Sequence, residues 1–216
     1  MHRALLPFLL LPGAAHAQQS DEQLWLATTA TNEPILHGEL SLESIARFGD
    51  NAQGIANAQI GIAFRQQVAH GLRLGLGYRH VQDWDRNGAR PNEERLRQSI
   101  SFDAGSTLHV RGMLEERFQR SGTEAAIRLR PFARLSTALG RHARLFLWRE
   151  DFFNLNTTGW GQRRGHERAR HSAGVTVPLA RRLSADIGYM HQRRFARFGN
   201  AGLTDHVGAL LLTLRY

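Results

Sequence analysis

Cysteine and lysine are both absent from these 216 residues, and each absence constrains something different. Without cysteine there is no disulfide framework, no thiolate metal site and no lipid-modified cysteine behind a leader. Without lysine all 28 basic residues are arginine; arginine offers carboxylates and phosphates a planar fork of donors, where lysine offers a hydrated point charge. Long apolar runs are missing too. Hydrophobic residues make up 42% of the chain at a mean hydropathy of −0.39, and no stretch reaches the about 20 apolar residues that a membrane helix needs. That excludes a bundle of transmembrane helices but not a barrel, in which only every second residue faces lipid. The net charge of +9 raises nucleic-acid binding, yet the arginines alternate with apolar residues instead of clustering, so no nucleic-acid partner is expected.

What is present begins with a leader. Arg3 supplies a positive start, Ala4 to Leu11 a short apolar core, and Ala15-His16-Ala17 a small-x-small cleavage site, the pattern of a secretory signal. Residues 1–17 are therefore expected to be removed, leaving a single domain over 18–216 that starts at Gln18. An apolar core this short does not span a bilayer.

From Glu22 onward apolar residues recur with period two between turn signals, the pattern of half-buried strands. Leu72, Leu74, Leu76 and Tyr78 alternate with Arg73, Gly75, Gly77 and Arg79; Ile127, Leu129 and Leu135 alternate with Arg128, Arg130 and Arg134. Ten regular strands fall between Leu36 and Tyr216, preceded by one at Glu22 to Thr31. Gln98 breaks an otherwise apolar face, and Pro131 predicts a bulge or local edge because proline cannot donate to the ladder. Short connections (Val68 to Gly71, Asp103 to Thr107, Leu139 to His142, Pro178 to Arg181) alternate with longer ones (Asp83 to Asn92, Asn154 to Glu167, Arg194 to Asp205). The last strand places Leu210, Leu212, Leu214 and Tyr216 on one wholly apolar face.

Together these features predict an all-β fold: an antiparallel transmembrane β-barrel of 10 to 12 strands, with short periplasmic turns, longer external loops and aromatic girdles. The expected location is the bacterial outer membrane, after export through the inner membrane. The expected partners are the lipid bilayer, lipopolysaccharide, and the barrel-assembly machinery acting through the C-terminal strand. A soluble lipocalin-like barrel with its arginine faces in water is the competing solution. It explains neither the alternating loop lengths nor the glycines beside arginine at Gly75 and Gly77. The N-terminal strand does not fit a simple antiparallel wall; it enters the lumen, pairs in parallel with the last strand, or marks a missed break.

On this reading the polar faces line the lumen, with Arg73, Arg79, Arg95, Arg111, Arg128 and Arg130 beside Glu115 and Glu150, while Tyr78, Tyr189 and Tyr216 sit at the membrane interfaces. A hairpin centred on Gly105 sets Arg95 opposite Glu115 and Glu93 opposite Arg117, pairs worth about 0.2 to 1 kcal/mol each. Glu150 falls near Phe132, within reach of Arg130 and Arg134. Exposed arginines in a pore favour anions, which predicts a narrow, anion-preferring channel for small anionic solutes. Arginines paired with Glu39, Glu43, Glu115 and Glu150 predict instead a closed, structural lumen. The eleven histidines show no metal-ligand spacing; His166 and His171, five apart, are expected on opposite faces, and His171 and His191 diagonally placed on neighbouring strands. An outer-leaflet lipid hydrolase using such a histidine as base has no serine beside it. No catalytic residue, metal or cofactor is expected.

Five segments carry a resemblance: GLGYRH (Gly75 to His80), RLRQSISF (Arg95 to Phe102), LFLWREDFFNLN (Leu145 to Asn156), QRRGHERAR (Gln162 to Arg170) and DIGYMHQRR (Asp186 to Arg194). In order and spacing they resemble domain-of-unknown-function family 2490, short bacterial barrels with a mid-chain glycine-tyrosine-arginine strand, a glutamate-phenylalanine-asparagine strand end and a final glycine-tyrosine-x-x-glutamine strand. Asp151 between Glu150 and Phe152, and His191 before Gln192, depart from that pattern. The resemblance implies an outer-membrane barrel and no activity.

Overall fold

A computed structural model describes residues 19–32, 37–49, 54–196 and 202–216. The leader predicted over residues 1–17 lies outside them. Every regular element among the described residues is a strand: β1 (Gln19–Thr31), β2 (Gly38–Gly49), β3 (Gly54–Ala69), β4 (Leu72–Asp85), β5 (Gly88–Ala89), β6 (Glu93–Ala104), β7 (Leu108–Gln119), β8 (Ala126–Leu139), β9 (Ala143–Asn154), β10 (Gly165–Ala180), β11 (Leu183–Arg194) and β12 (Leu203–Arg215). No helix is long and apolar enough to cross a membrane. Eleven strands hydrogen-bond in a closed ring, while the two-residue β5 pairs only with Trp84 and Asp85 and extends the β4 hairpin beyond it.

Neighbours around the ring run antiparallel except at one seam. β1 pairs with β12 in parallel, Gln19 opposite Leu203 through Thr31 opposite Arg215. The reason is parity: a ring of alternating strands with an odd number of members must bring its first and last strands together in the same direction. The parallel alternative for the N-terminal strand is therefore the one realised. The tight connections gather at one end (70–71, 105–107, 140–142, 181–182), together with Thr31 of β1, Gly38 of β2 and Tyr216; the longer connections 86–92, 120–125 and 155–164 gather at the other. We call these the turn end and the loop end.

Because side chains alternate across a strand, closure sorts every strand into an inner and an outer set. Leu76 is 64% exposed and Ile60 65%, whereas Val81 and Glu115 are fully covered. The molecule is thus apolar outside and charged inside, the arrangement expected of the membrane barrel and opposite to that of the lipocalin-like alternative.

Three expectations need correction. The β6–β7 hairpin closes through Ala104 opposite Leu108, so Arg95 faces Arg117, Arg97 faces Glu115 and Glu93 faces Gln119. The register is displaced by two from a hairpin centred on Gly105; a slip of two keeps each side chain on its face but changes its partner. Of the two alternatives at Pro131 the local edge is the one realised: the β8–β9 pairing skips residues 130 and 131 and resumes in the same register without a bulge, with Phe132 opposite Glu150 as expected. Glu167, by contrast, is an extra residue between His166, opposite Phe153, and Arg168, opposite Phe152. This bulge reverses the alternation and turns His166 and His171 to the same, outer face. His171 also lies directly opposite His191, not diagonally.

Candidate functional site

The interior is built from arginines and carboxylates whose contacts cut across the ring. Glu115 on β7 accepts from Arg128 and, at 2.7 Å, from Arg130 on β8; Arg130 continues to Glu150 on β9 at 2.8 Å. Glu150 also takes Arg111 at 3.0 Å and lies 3.7 Å from Arg170. On the other wall Glu43 of β2 accepts from Arg79 and, at 2.8 Å, from Arg97 of β6. Towards the loop end Glu93 takes Arg95 and, at 2.5 Å, Arg117, and Glu167 takes Arg168 and, at 3.3 Å, Arg128. Near the turns Arg73 pairs with Asp103, which also binds His109 at 2.6 Å, and Arg134 spans from β8 to Asp186 on β11 at 2.6 Å.

All eight interior candidates read from the sequence therefore point inward. Arg111, Glu115, Arg128, Arg130 and Glu150 form one continuous chain; Arg79 and Arg95 belong to neighbouring clusters, and Arg73 stands apart at the turn end. Arg95 and Glu115 do not pair, because the register differs. Glu93 still meets Arg117, by a diagonal contact.

Glycine makes the long reach of Arg97 feasible. Gly77 lies directly opposite Arg97, and a Cβ there would sit 3.0 Å from the Arg97 Nη2 atom. The guanidinium crosses the bare backbone of β4 and meets Glu43 of β2, three strands away around the ring.

Three cavities follow one another down the barrel. A vestibule of about 680 Å³ at the loop end is walled by Glu93, Arg117, Gln162 and Glu167. Gln162, from the 155–164 loop, fixes that wall: it accepts from Arg117 at 3.0 Å and donates to Asn156 Oδ1 at 2.8 Å. Below lies a pocket of about 140 Å³ that shares Arg117 with the vestibule and is otherwise walled mainly by arginine. Below that, sharing Arg47, Arg79, Arg130 and Arg170, is a chamber of about 310 Å³ with Trp25, Phe132, Phe146 and Trp148 in its lining. Long arginine side chains are thus the partitions between compartments.

Arg47, Arg168 and Arg170 were not singled out from sequence, and neither were Trp25 and Phe152, on which these guanidiniums rest. Phe152 has Arg128, Arg130, Arg168 and Arg170 within 5.2, 4.7, 5.5 and 4.5 Å of its ring centre. The available signal was the alternation of arginine at 168 and 170, but the bulge at Glu167 obscures its phase.

The outer face carries Tyr78 and Tyr189 near the loop end and Tyr216 at the turn end, each 41–51% exposed. Tyr78 donates to Glu94, which also binds His80 at 2.8 Å, and Tyr189 shares a 2.6 Å hydrogen bond with His206. Arg149, His171, His191 and His206 form one outward row across β9 to β12. His166 joins Asp151 at 3.0 Å just above it. No group of three ligating side chains among the described residues is placed to hold a metal ion.

The chain is similar to an uncharacterised protein of Methylorubrum extorquens, with 31% identity over 209 residues, covering 91% of this chain and 88% of that one. A family profile described as protein of unknown function, DUF2490, matches residues 22–201. That span takes in the ring from within β1 to β11, with all of the arginine–carboxylate interior described above, and the chain accordingly belongs to the DUF2490 family.

Proposed function

We propose that this chain is an integral outer-membrane β-barrel whose lumen is closed at its waist by the arginine–carboxylate network. The observation that carries the reading is the inversion of polarity: Leu42, Ile60, Leu76, Ile100, Leu135, Leu147 and Ile187 are all more than half exposed on the outside, while Glu115 is fully covered inside. A soluble monomer rarely exposes so large an apolar surface, and a lipid belt is what such a surface suits. In this reading the turn end faces the periplasm and the loop end the exterior. Tyr78, Tyr189 and Tyr216 lie at the two interfaces, lipopolysaccharide surrounds the outer leaflet, and the C-terminal strand is the handle for the assembly machinery.

A narrow anion-preferring channel is the second reading, favoured by the run of arginine-partitioned cavities along the axis. Nothing at the histidine row favours the lipid-hydrolase reading: the hydroxyl bound to it is that of Tyr189 and not of a serine. One preparation tests these readings. The purified protein is expected in the outer-membrane fraction as a heat-modifiable band that gives no steady conductance in a planar bilayer. Small anion-selective steps would establish the channel instead, and recovery from the soluble periplasm would overturn the membrane reading.

A further inference from the structure

The 140 Å³ pocket at the waist has more cation around it than the protein neutralises. Eight arginines line it. The carboxylates that reach them are Glu43, Glu93, Glu115, Glu150 and Glu167, and two of these are shared with arginines elsewhere, Glu43 with Arg97 and Glu150 with Arg111. The imbalance is sharpest at Arg47. No carboxylate among the described residues pairs with it, its buried Nε has no hydrogen-bond partner, and its guanidinium lies 3.9 Å over the Trp25 ring. Arg170 lies against the same ring at 4.7 Å; its Nε donates to Gln192 at 2.7 Å, and its nearest carboxylate is 3.7 Å away. The buried Nε atoms of Arg79 and Arg128, also on this wall, lack partners too.

An uncompensated cation buried in a barrel is costly, and the cost is relieved by an anion that brings its own acceptors. Arginine forks suit tetrahedral oxyanions in particular, whose oxygens each accept charge-assisted hydrogen bonds from paired N–H groups. Stacking on Trp25 and Phe152 holds the guanidiniums in place without consuming their N–H donors. We infer that the waist pocket is a binding site for one phosphate group, held chiefly by Arg47 and Arg170. Asp83, a sixth carboxylate on the pocket wall, keeps its charge while accepting from Asn57 at 2.6 Å, and the eight arginines still outnumber the carboxylates around them. The site rests on interior geometry alone and is separate from the question of conduction.

Calorimetric titration of the folded, detergent-solubilised protein tests it, with inorganic phosphate and glycerol 3-phosphate as separate probes and sodium chloride at matched ionic strength as control. Saturable binding of either probe, beyond the chloride response, is expected. Free phosphate alone assigns an enclosed ion; the ester alone, or both, assigns a phosphoryl group reached from the vestibule. Arg47→Gln and, separately, Arg170→Gln should each weaken binding about tenfold or more, the loss of hydrogen bonds between charged groups, while Arg149→Gln on the outer face should leave it unchanged. The heat-modifiable band reports folding of each variant, and two sites guard against one variant failing to fold. No binding above chloride, or equal loss in Arg149→Gln, would overturn the site, whatever the conductance experiment gives.

Discussion

Glu115 is the residue on which most of the interior depends. It is fully covered and is the joint carboxylate of Arg128 and Arg130. Burying charge is tolerable only while it is paired, and removing one member leaves the others desolvated without compensation. Both arginines retain a second carboxylate, Glu167 for Arg128 and Glu150 for Arg130. Glu115→Gln is therefore expected to destabilise the folded barrel by about 3 kcal/mol, the lower end for a broken buried pair. The midpoint of the folded-to-unfolded band shift in a urea series measures it, and a change within noise would show that the network rearranges around the loss. Arginine chemistry suits this interior: Glu43, Glu93, Glu115, Glu150 and Glu167 are each shared by more than one fork, and a point charge on a flexible stem does not bridge in that way.

At the scale of the strands, the parallel β1–β12 seam and the Glu167 bulge distinguish this barrel from a plain meander. A chain without cysteine makes the seam directly testable, because introduced thiols have no native competitor. Thr28 lies opposite Leu212, so the pair Thr28→Cys and Leu212→Cys should crosslink under mild oxidation. Thr28→Cys with Leu214→Cys should crosslink poorly, since neighbours two residues out of register stand about 7–8 Å apart. Crosslinking to neither position would place β1 elsewhere, for instance inside the lumen. The bulge has a chemical consequence as well: it brings Glu167 to Arg128 while leaving His166 outside against Asp151. One inserted residue thus serves both faces of β10.

For the whole molecule the question is which solvent the outer surface meets. Ile187 is 51% exposed on the outside, midway between Leu183 near the turns and the histidine row at His191. Ile187→Arg is expected to cost about 2 to 4 kcal/mol when the protein folds into lipid vesicles, as a cation does at the middle of a bilayer. The vesicle-folding equilibrium in urea measures it. A soluble barrel would register a change within about 0.5 kcal/mol at such an exposed site, so the two outcomes separate the alternatives cleanly.

Period-two alternation is local, and it determined a great deal by itself: the all-β class, and the sorting of Arg79, Arg130 and Glu150 onto one set of faces and of Tyr78 and Tyr189 onto the other. Which set lies inside it left open, and the long-short sequence of connections and the glycines beside arginine chose between the two. The strand pattern even exposed the misfit of the first strand, though not its resolution. Ring closure decided the rest. Whether Arg95 meets Glu115 or Arg117 turns on a two-residue slip that leaves the hydrophobic pattern untouched. The meetings of Arg97 with Glu43 and of Arg134 with Asp186 join strands far apart in sequence. That Arg47 finds Trp25 and, among the described residues, no carboxylate is likewise invisible in the chain, because a charge is balanced or unbalanced only by what the closed barrel brings within reach of it.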